Sequence, residues 1–278
     1  MAVHPSTDGA PRERAERRPI AVSPAALAKR LTKRSVLLCL DYDGTLVPIA
    51  GRPELATFDD SGRRLLRGLS RRMPVAIVSG RARAALRSLI GVPSLYYVGN
   101  HGFEISGPRV RLRAPLPPDW PRELERLLTT IESDAPPGVL IERKGPTASV
   151  HYRLVAPEDR RRWLPALRAR LDVLAGDGHL RVLRGKTVLE LRPPGHWHKG
   201  AAVRWLTERR CFTGRIPVYL GDDATDEDAF RAIRHDGIGV LVGPSRRTAA
   251  RYRLPGPAHV RRFIEQWLGE SGSDERPR

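Results

Sequence analysis

Residues 37–47 read Leu-Leu-Cys-Leu-Asp-Tyr-Asp-Gly-Thr-Leu-Val, an apolar run of strand length that delivers Asp41 and Asp43 into a glycine turn. Residues i and i+2 of a strand share a face, so both acids can point the same way where the strand ends. Two carboxylates held that close disfavour each other's charged forms unless a cation sits between them. A hard divalent metal with oxygen ligands is the usual solution. The plainer alternative is an Asx-type turn closing a buried strand. That turn needs one Asp and a Gly, not two Asp and a following Thr45.

A second acidic segment, Gly221-Asp222-Asp223-Ala224-Thr225-Asp226-Glu227-Asp228, follows the short apolar run at 217–220. At most one or two of its acids can reach a metal. The remainder suit caps and the first turn of a helix, where negative charge is favourable. Lysine occurs only at 29, 33, 144, 186 and 199, against a background rich in arginine. The interior lysines are therefore places where a compact ammonium is expected to matter. Lys199 follows His198 at a helix start, and a solvated helix residue is the alternative to a site residue there.

The elements that must hold these groups follow from hydrophobic period. A helix from Pro24 to Lys33 is capped by Ser23, with proline at its first position. The strand 36–40 precedes Asp41, leucines 65, 66 and 69 mark a helix over 60–71, and a second strand at 74–78 ends in Ser79-Gly80-Arg81. After a helix over 83–90, a third strand at 95–98 ends in Gly99-Asn100-His101-Gly102. Strands alternating with helices imply right-handed βαβ units and a parallel sheet. Ligands in such sheets bind at the carboxyl ends of the strands, where all these polar turns fall.

The pattern then changes. A hairpin over 103–112, strands at 139–142, 149–154, 180–183 and 187–192, and helices over 122–133 and 158–174 make an α+β insert. Glu142 and Lys144 share one strand face, as do His151 and Arg153. A mixed Glu/Lys/Arg surface suits a polyol, which presents donors and acceptors together; cross-strand salt bridging on an exposed sheet is the alternative. The expected organisation is a disordered basic tail (1–22), a core (23–104), an α+β cap (105–193), the returning core (194–270) and a polar tail (271–278).

The chain has 278 residues, 40% of them hydrophobic, and no apolar run long enough to span a bilayer. Only Cys39 and Cys211 occur, which is no disulfide framework and reads as a reducing, cytoplasmic compartment. The formal net charge is +18, but the basic residues are scattered and few aromatics are interleaved with them. A base-stacking platform is thus poorly supported, whereas an anionic small-molecule substrate is favoured by the field. No membrane or nucleic-acid partner is expected, and the chain is expected to be a monomer.

Asp41-x-Asp43-x-Thr45 at the end of a first core strand resembles the first motif of the haloacid dehalogenase superfamily of phosphatases. Ser79, Lys199 and Gly221-Asp222-Asp223 resemble its further motifs, in order and at strand ends or a helix start. The resemblance implies a Rossmann-like parallel-sheet core with an inserted α+β cap, and a catalytic set of Asp41, Asp43, Thr45, Ser79 and Lys199. It further implies Mg²⁺ held by Asp41, Asp222 and the Asp43 backbone carbonyl, an aspartyl-phosphate on Asp41, and Asp43 as acid and base. Within that superfamily, Asp41–Leu46, Asn100-His101-Gly102-x-Glu104, Glu142-x-Lys144, His151-Tyr152-Arg153, Gly185-Lys186 with Glu190 and Arg192-Pro193, and Trp197-x-Lys199-Gly200 are similar to trehalose-6-phosphate phosphatases. This narrower resemblance implies a disaccharide phosphate bound by Asn100, Glu142, Lys144, Arg153, Lys186 and Glu190. The competing readings are a phosphatase for another sugar phosphate, of the sucrose or mannosylglycerate type, and a non-catalytic sugar-phosphate or nucleic-acid binder.

Overall fold

A computed structural model describes residues 16–49, 57–185 and 187–270. The expected polar tail at 271–278, most of the expected basic tail, and Lys186 lie outside the described residues. The chain opens with β1 (Ile20–Ala21), α1 (Pro24–Leu31), β2 (Val36–Asp41), α2 (Asp60–Arg72), β3 (Val75–Val78), α3 (Arg83–Ile90) and β4 (Tyr96–Gly99). A hairpin, β5 (Glu104–Gly107) and β6 (Val110–Arg113), leads to α4 (Trp120–Asp134), β7 (Leu140–Arg143), β8 (Ala148–His151), α5 (Pro157–Gly176), β9 (Arg181–Arg184) and β10 (Val188–Arg192). The return runs through α6 (Lys199–Thr207), β11 (Ile216–Gly221), α7 (Glu227–Ile233), β12 (Ile238–Val242), β13 (Tyr252–Leu254) and α8 (Pro257–Glu270).

The core sheet has nine strands in the order β1-β13-β12-β11-β2-β3-β4-β5-β6, parallel from β1 through β4. Every residue of β2 is buried, as expected of a central parallel strand covered on both faces. Its side chains alternate between two cores. Leu38 and Leu40 pack with α1, α2 and α8, whereas Leu37 and Cys39 pack on the α6 and α7 side. That arrangement leaves only the carboxyl edge of the sheet for polar groups. There β2 lies between β3 and β11, so the turns after all three converge.

Two expectations are corrected. The hairpin at 104–113 does not belong to the insert: β5 pairs antiparallel with β4 and β6 with β5, extending the core sheet. Without it β4 would present an unpaired edge, and nothing in the hairpin's own alternation says which edge it fills. Residues 17–22 are also not disordered. Ile20 N donates to Arg251 O at 3.0 Å and Val22 N to Arg253 O at 3.1 Å, adding β1 to the free edge of β13. Polar composition argues against a core but not against backbone pairing at an edge, which is how the expectation failed.

The inserted unit has its own four-stranded antiparallel sheet, β7-β8-β10-β9. Ala148, Val150, Leu189 and Leu191 face α4 and α5, which contribute Trp120, Leu124, Leu128, Leu164, Leu167 and Leu171 to a separate core. Strand alternation then puts Ser149 and Glu190 on the opposite face, and these two are register partners.

Helix starts follow the local rules. Ser23 Oγ accepts from Ala26 N at 3.2 Å, and Asp59 Oδ1 accepts from Gly62 N at 2.7 Å at the start of α2. Hydrogen bonds from Ser61 and from the Gly62 amide hold the Asp59 carboxyl down to about 2, against an ordinary 3.8. Removing such a cap costs about 1 kcal/mol. Asp59→Ala is therefore expected to lower Tm by roughly 2–4 °C at pH 7 in a scanning-fluorimetry melt. Because the folded-state value is depressed, the cap's contribution is complete above about 3.8 and is lost as pH falls toward 2. The gap between wild type and variant should close over that window.

Candidate active site

Asp41 ends β2 with 4% exposure, and the chain turns sharply after it, with Gly44 N donating to Val47 O at 2.7 Å. Gly44 has φ +84°, and a Cβ there would lie 2.1 Å from Asp222 Oδ2. Only glycine allows the β2 turn and the β11 turn to approach this closely. The close approach brings three carboxylates together: one ligand oxygen from each of Asp41, Asp222 and Asp226 lies within 4.8 Å of the others.

One cation threads the group. Lys199, the first residue of α6, is buried, and its Nζ donates to Asp41 Oδ1 and Asp226 Oδ1 at 2.8 Å each. Although burial works against its charge, Asp226 and Asp41 keep the ammonium protonated well past its ordinary range. His198 starts the helix by accepting Ala201 N at its Nδ1.

The balance remains negative. Burial, followed by the charges of Asp226 and Asp223, pushes the Asp222 carboxyl up to about 7. Burial likewise drives Asp41 upward against the pull of Lys199. Asp222 Oδ1 is buried and has no hydrogen-bond partner among the described residues. Asp226, by contrast, is fully engaged: Tyr219 Oη donates to Oδ1 at 2.7 Å, and the Asp222 and Asp223 amides donate to Oδ2 at 2.9 and 3.1 Å. Three carboxylates against one ammonium, with one carboxylate oxygen unpartnered, are a donor set that fits a hard divalent cation.

The other expected residues are placed as follows. Thr45 and Ser79 are buried at the same sheet edge, and Ser79 Oγ accepts from the Arg81 amide at 3.2 Å. Asp43 is not one of the three grouped carboxylates and is held by Arg81 in a two-point ion pair, both contacts at 2.7 Å. The Arg81 guanidinium also lies over the Tyr42 ring, 5.2 Å from its centroid. In this state Arg81 is a partner of Asp43, an ion pair that sequence spacing leaves open.

The inserted unit closes on this edge. Lys144 Nζ donates to both oxygens of Glu190, at 3.0 and 2.9 Å, and reaches Gly80 O at 3.3 Å across the gap. Ser149 Oγ donates to Glu190 Oε1 at 2.7 Å, and His101 Nε2 lies 3.6 Å from Oε2. Burial would raise the Glu190 carboxyl, but Lys144 and His101 hold it well below the usual carboxylate range. Asn100 Nδ2 donates to Lys144 O at 2.8 Å and Glu104 Oε2 at 2.9 Å, so Asn100 ties insert to core. Asn100 and His101 both adopt left-handed backbone, φ 50° and 57°, a conformation held where the two units meet. Glu142 pairs with His151 at 3.3 Å, and exposed Arg153 donates to Thr187 Oγ1 at 3.1 Å, farther along the same sheet.

Sequence reasoning missed the clamp beneath the acidic turn. Arg246 pairs with Glu227 and donates to the carbonyls of Asp222 and Asp223, at 3.2 and 2.9 Å. Buried Glu227 in turn accepts from Thr248 Oγ1 at 2.7 Å and Ala249 N at 2.9 Å. No local signal marks Arg246, because it lies 24 residues beyond Asp222. A separate cleft of about 660 Å³ lies at the far end of β4 and shares no residue with this cluster.

This core, with its acidic strand ends and inserted unit, has the fold of haloacid-dehalogenase-like hydrolases. A haloacid dehalogenase-like hydrolase from Bacteroides thetaiotaomicron shares the fold at TM-score 0.61 and 16% identity, over 84% of this chain and 97% of that one. Residues 39–258 match the trehalose-phosphatase family, and the chain belongs to it. A probable trehalose-phosphate phosphatase of Oryza sativa subsp. japonica is 35% identical over 269 residues, covering 91% of this chain and 72% of its own. The C-terminal domain of C. albicans trehalose-6-phosphate phosphatase superposes at TM-score 0.77 with 26% identity, over 92% of this chain and 99% of that one. The chain is a phosphatase.

Proposed function

We propose that this enzyme hydrolyses trehalose 6-phosphate to trehalose and inorganic phosphate, a step of trehalose biosynthesis, with Mg²⁺ as cofactor. The observation that carries the reading is Asp41, buried at the end of β2, in contact with the Lys199 ammonium and grouped with Asp222 and Asp226. Family membership supports the substrate.

Asp41 attacks phosphorus, the phosphorus–sugar oxygen bond breaks, and water then hydrolyses the aspartyl-phosphate. Asp43 protonates the departing sugar oxygen and afterwards takes a proton from the water. That role requires Asp43 to leave Arg81, so opening their ion pair belongs to the cycle. Ser79 and Thr45 present hydroxyls, and Lys199 an ammonium, to the phosphoryl oxygens. Asp226, saturated with donors, positions Lys199. The carboxylates of Asp41 and Asp222, with the Asp43 carbonyl, would hold Mg²⁺, which supplies charge neutralisation for phosphoryl transfer.

The sugar falls to Asn100 and the cap residues Glu142, Lys144, Arg153, Lys186 and Glu190. Glu190→Ala leaves the buried Lys144 ammonium without its carboxylate and removes an acceptor for hydroxyls. The kcat/KM ratio of trehalose 6-phosphate to 4-nitrophenyl phosphate is expected to fall roughly 30-fold or more. Equal losses on both substrates would place Glu190 in the phosphoryl site instead.

The reading is tested by phosphate release over a panel of sugar phosphates, with Mg²⁺ and with chelator. Trehalose 6-phosphate should lead the panel by at least about tenfold, and chelator should abolish release. A lead by sucrose 6-phosphate, or full activity in chelator, would overturn it.

A further inference from the structure

Arg192 closes β10 immediately before the Pro193-Pro194-Gly195 return to the core, and it is 4% exposed. Burying a charged guanidinium with its N–H groups unpaired is costly. Yet Nε and Nη2 of Arg192 have no hydrogen-bond partner among the described residues. Alternation on β10 sends Leu189 and Leu191 into the cap core and puts Arg192 on the face of Glu190, toward the catalytic edge. The acids nearest to it are already committed. Glu190 accepts from Lys144 and Ser149, and Asp223 Oδ1 accepts from Thr225 and from the Asp226 amide. His101 Nε2, 3.6 Å from Oε2 of Glu190, is a further partner of that carboxylate. Arg192 therefore brings two unspent donors to the interface of cap and core, within electrostatic reach of Glu190 on the cap sheet and of Asp223 and Asp228 on the acidic turn.

What fills that space is set by charge. Glu190, Asp223 and Asp228 act on Arg192 against its register partner Arg181, so negative and positive neighbours offset one another and a phosphate dianion is not favoured there. A neutral vicinal diol suits it, because a planar fork of two N–H groups matches two adjacent oxygens that need donors.

We propose that Arg192 is a substrate-binding residue that determines specificity, its Nε and Nη2 gripping a pair of adjacent hydroxyls on the sugar of the substrate. The assignment rests on the reading of the enzyme as a sugar-phosphate phosphatase and adds Arg192 to the hydroxyl contacts, a role that the resemblance of the Arg192-Pro193 segment does not itself assign. The fork, rather than the charge alone, is what the contact needs.

The test compares wild type, Arg192→Lys and Arg192→Gln on the sugar phosphate that wild type prefers in the panel and on 4-nitrophenyl phosphate. It also measures binding of the free sugar product by calorimetry and inhibition by inorganic phosphate. Both variants should lose at least tenfold more kcat/KM on the sugar phosphate than on the aryl phosphate, chiefly through KM. Sugar affinity should fall at least tenfold while the phosphate inhibition constant moves less than threefold. Arg192→Lys keeps the charge, which protects the fold, and should still show the sugar loss. Parallel losses on both substrates, weakened phosphate inhibition, or unchanged sugar affinity in Arg192→Lys would overturn the assignment. A wild type that does not favour any sugar phosphate over the aryl phosphate would instead sink the underlying functional reading, and is distinguished by needing no variant.

Discussion

Asp41→Asn is expected to reduce phosphate release by a factor on the order of 10⁴ or more while leaving the fold intact. The amide keeps the carboxylate's shape but supplies no anionic oxygen to attack phosphorus. Stability should hold or rise. Burial and the neighbouring acids Asp226, Asp222 and Asp223 disfavour the Asp41 anion, and the amide removes that repulsion. Lys199 keeps Asp226 as a partner at 2.8 Å. Stored repulsion released by loss of function is the usual sign of an active-site group. Single-turnover phosphate release and a thermal melt on the same preparation check both halves. Substantial residual turnover would remove Asp41 from the nucleophile's role.

Lys199→Met should be the most damaging change to stability as well as a severe one to rate. The ammonium sits between Asp41 and Asp226, and deleting it leaves two buried carboxylates face to face. Breaking a buried pair by removing one partner costs about 3–5 kcal/mol. For a chain of this size that corresponds to a Tm drop of roughly 10 °C. Turnover should fall by about 10³, the scale of losing one charged donor to the reacting oxygens. The double variant Lys199→Met with Asp226→Asn separates the effects: melting temperature should recover in part, and turnover should not. A Tm near wild type with less than a tenfold rate loss would return Lys199 to the status of an ordinary helix residue.

The placement of the candidate site was legible wherever one strand and its turn contain the whole signal. Asp41, Ser79 and Asp222 each follow a short apolar run, and the sheet places all three at one edge. Lys199 was legible because a helix start follows a Pro-Pro-Gly return, and His198 does cap that helix. Legibility stopped where partners come from elsewhere in the chain. Among the acids from Asp222 to Asp228, spacing could not say that Asp226 turns inward under Tyr219 while Asp222 Oδ1 has no hydrogen-bond partner among the described residues. Nor could it pair Arg81 with Asp43, set Arg246 beneath the acidic turn, or leave Nε and Nη2 of buried Arg192 without a hydrogen-bond partner among the described residues.

The sequence by itself determined the alternation of strands and helices, the carboxylates at strand ends and the α+β insert, because these depend on hydrophobic period and local turn chemistry. Only the tertiary structure decided which edges the hairpin and the strand at 20–21 fill, since backbone donors and acceptors are the same in every residue. It alone also decided how charge is shared. Asp41 and Asp43, two residues apart in one turn, end with different partners: the first meets a buried ammonium and two further acids, the second a guanidinium. Electrostatic roles depend on distance and burial in three dimensions, and those are properties of the packed chain rather than of any segment of it.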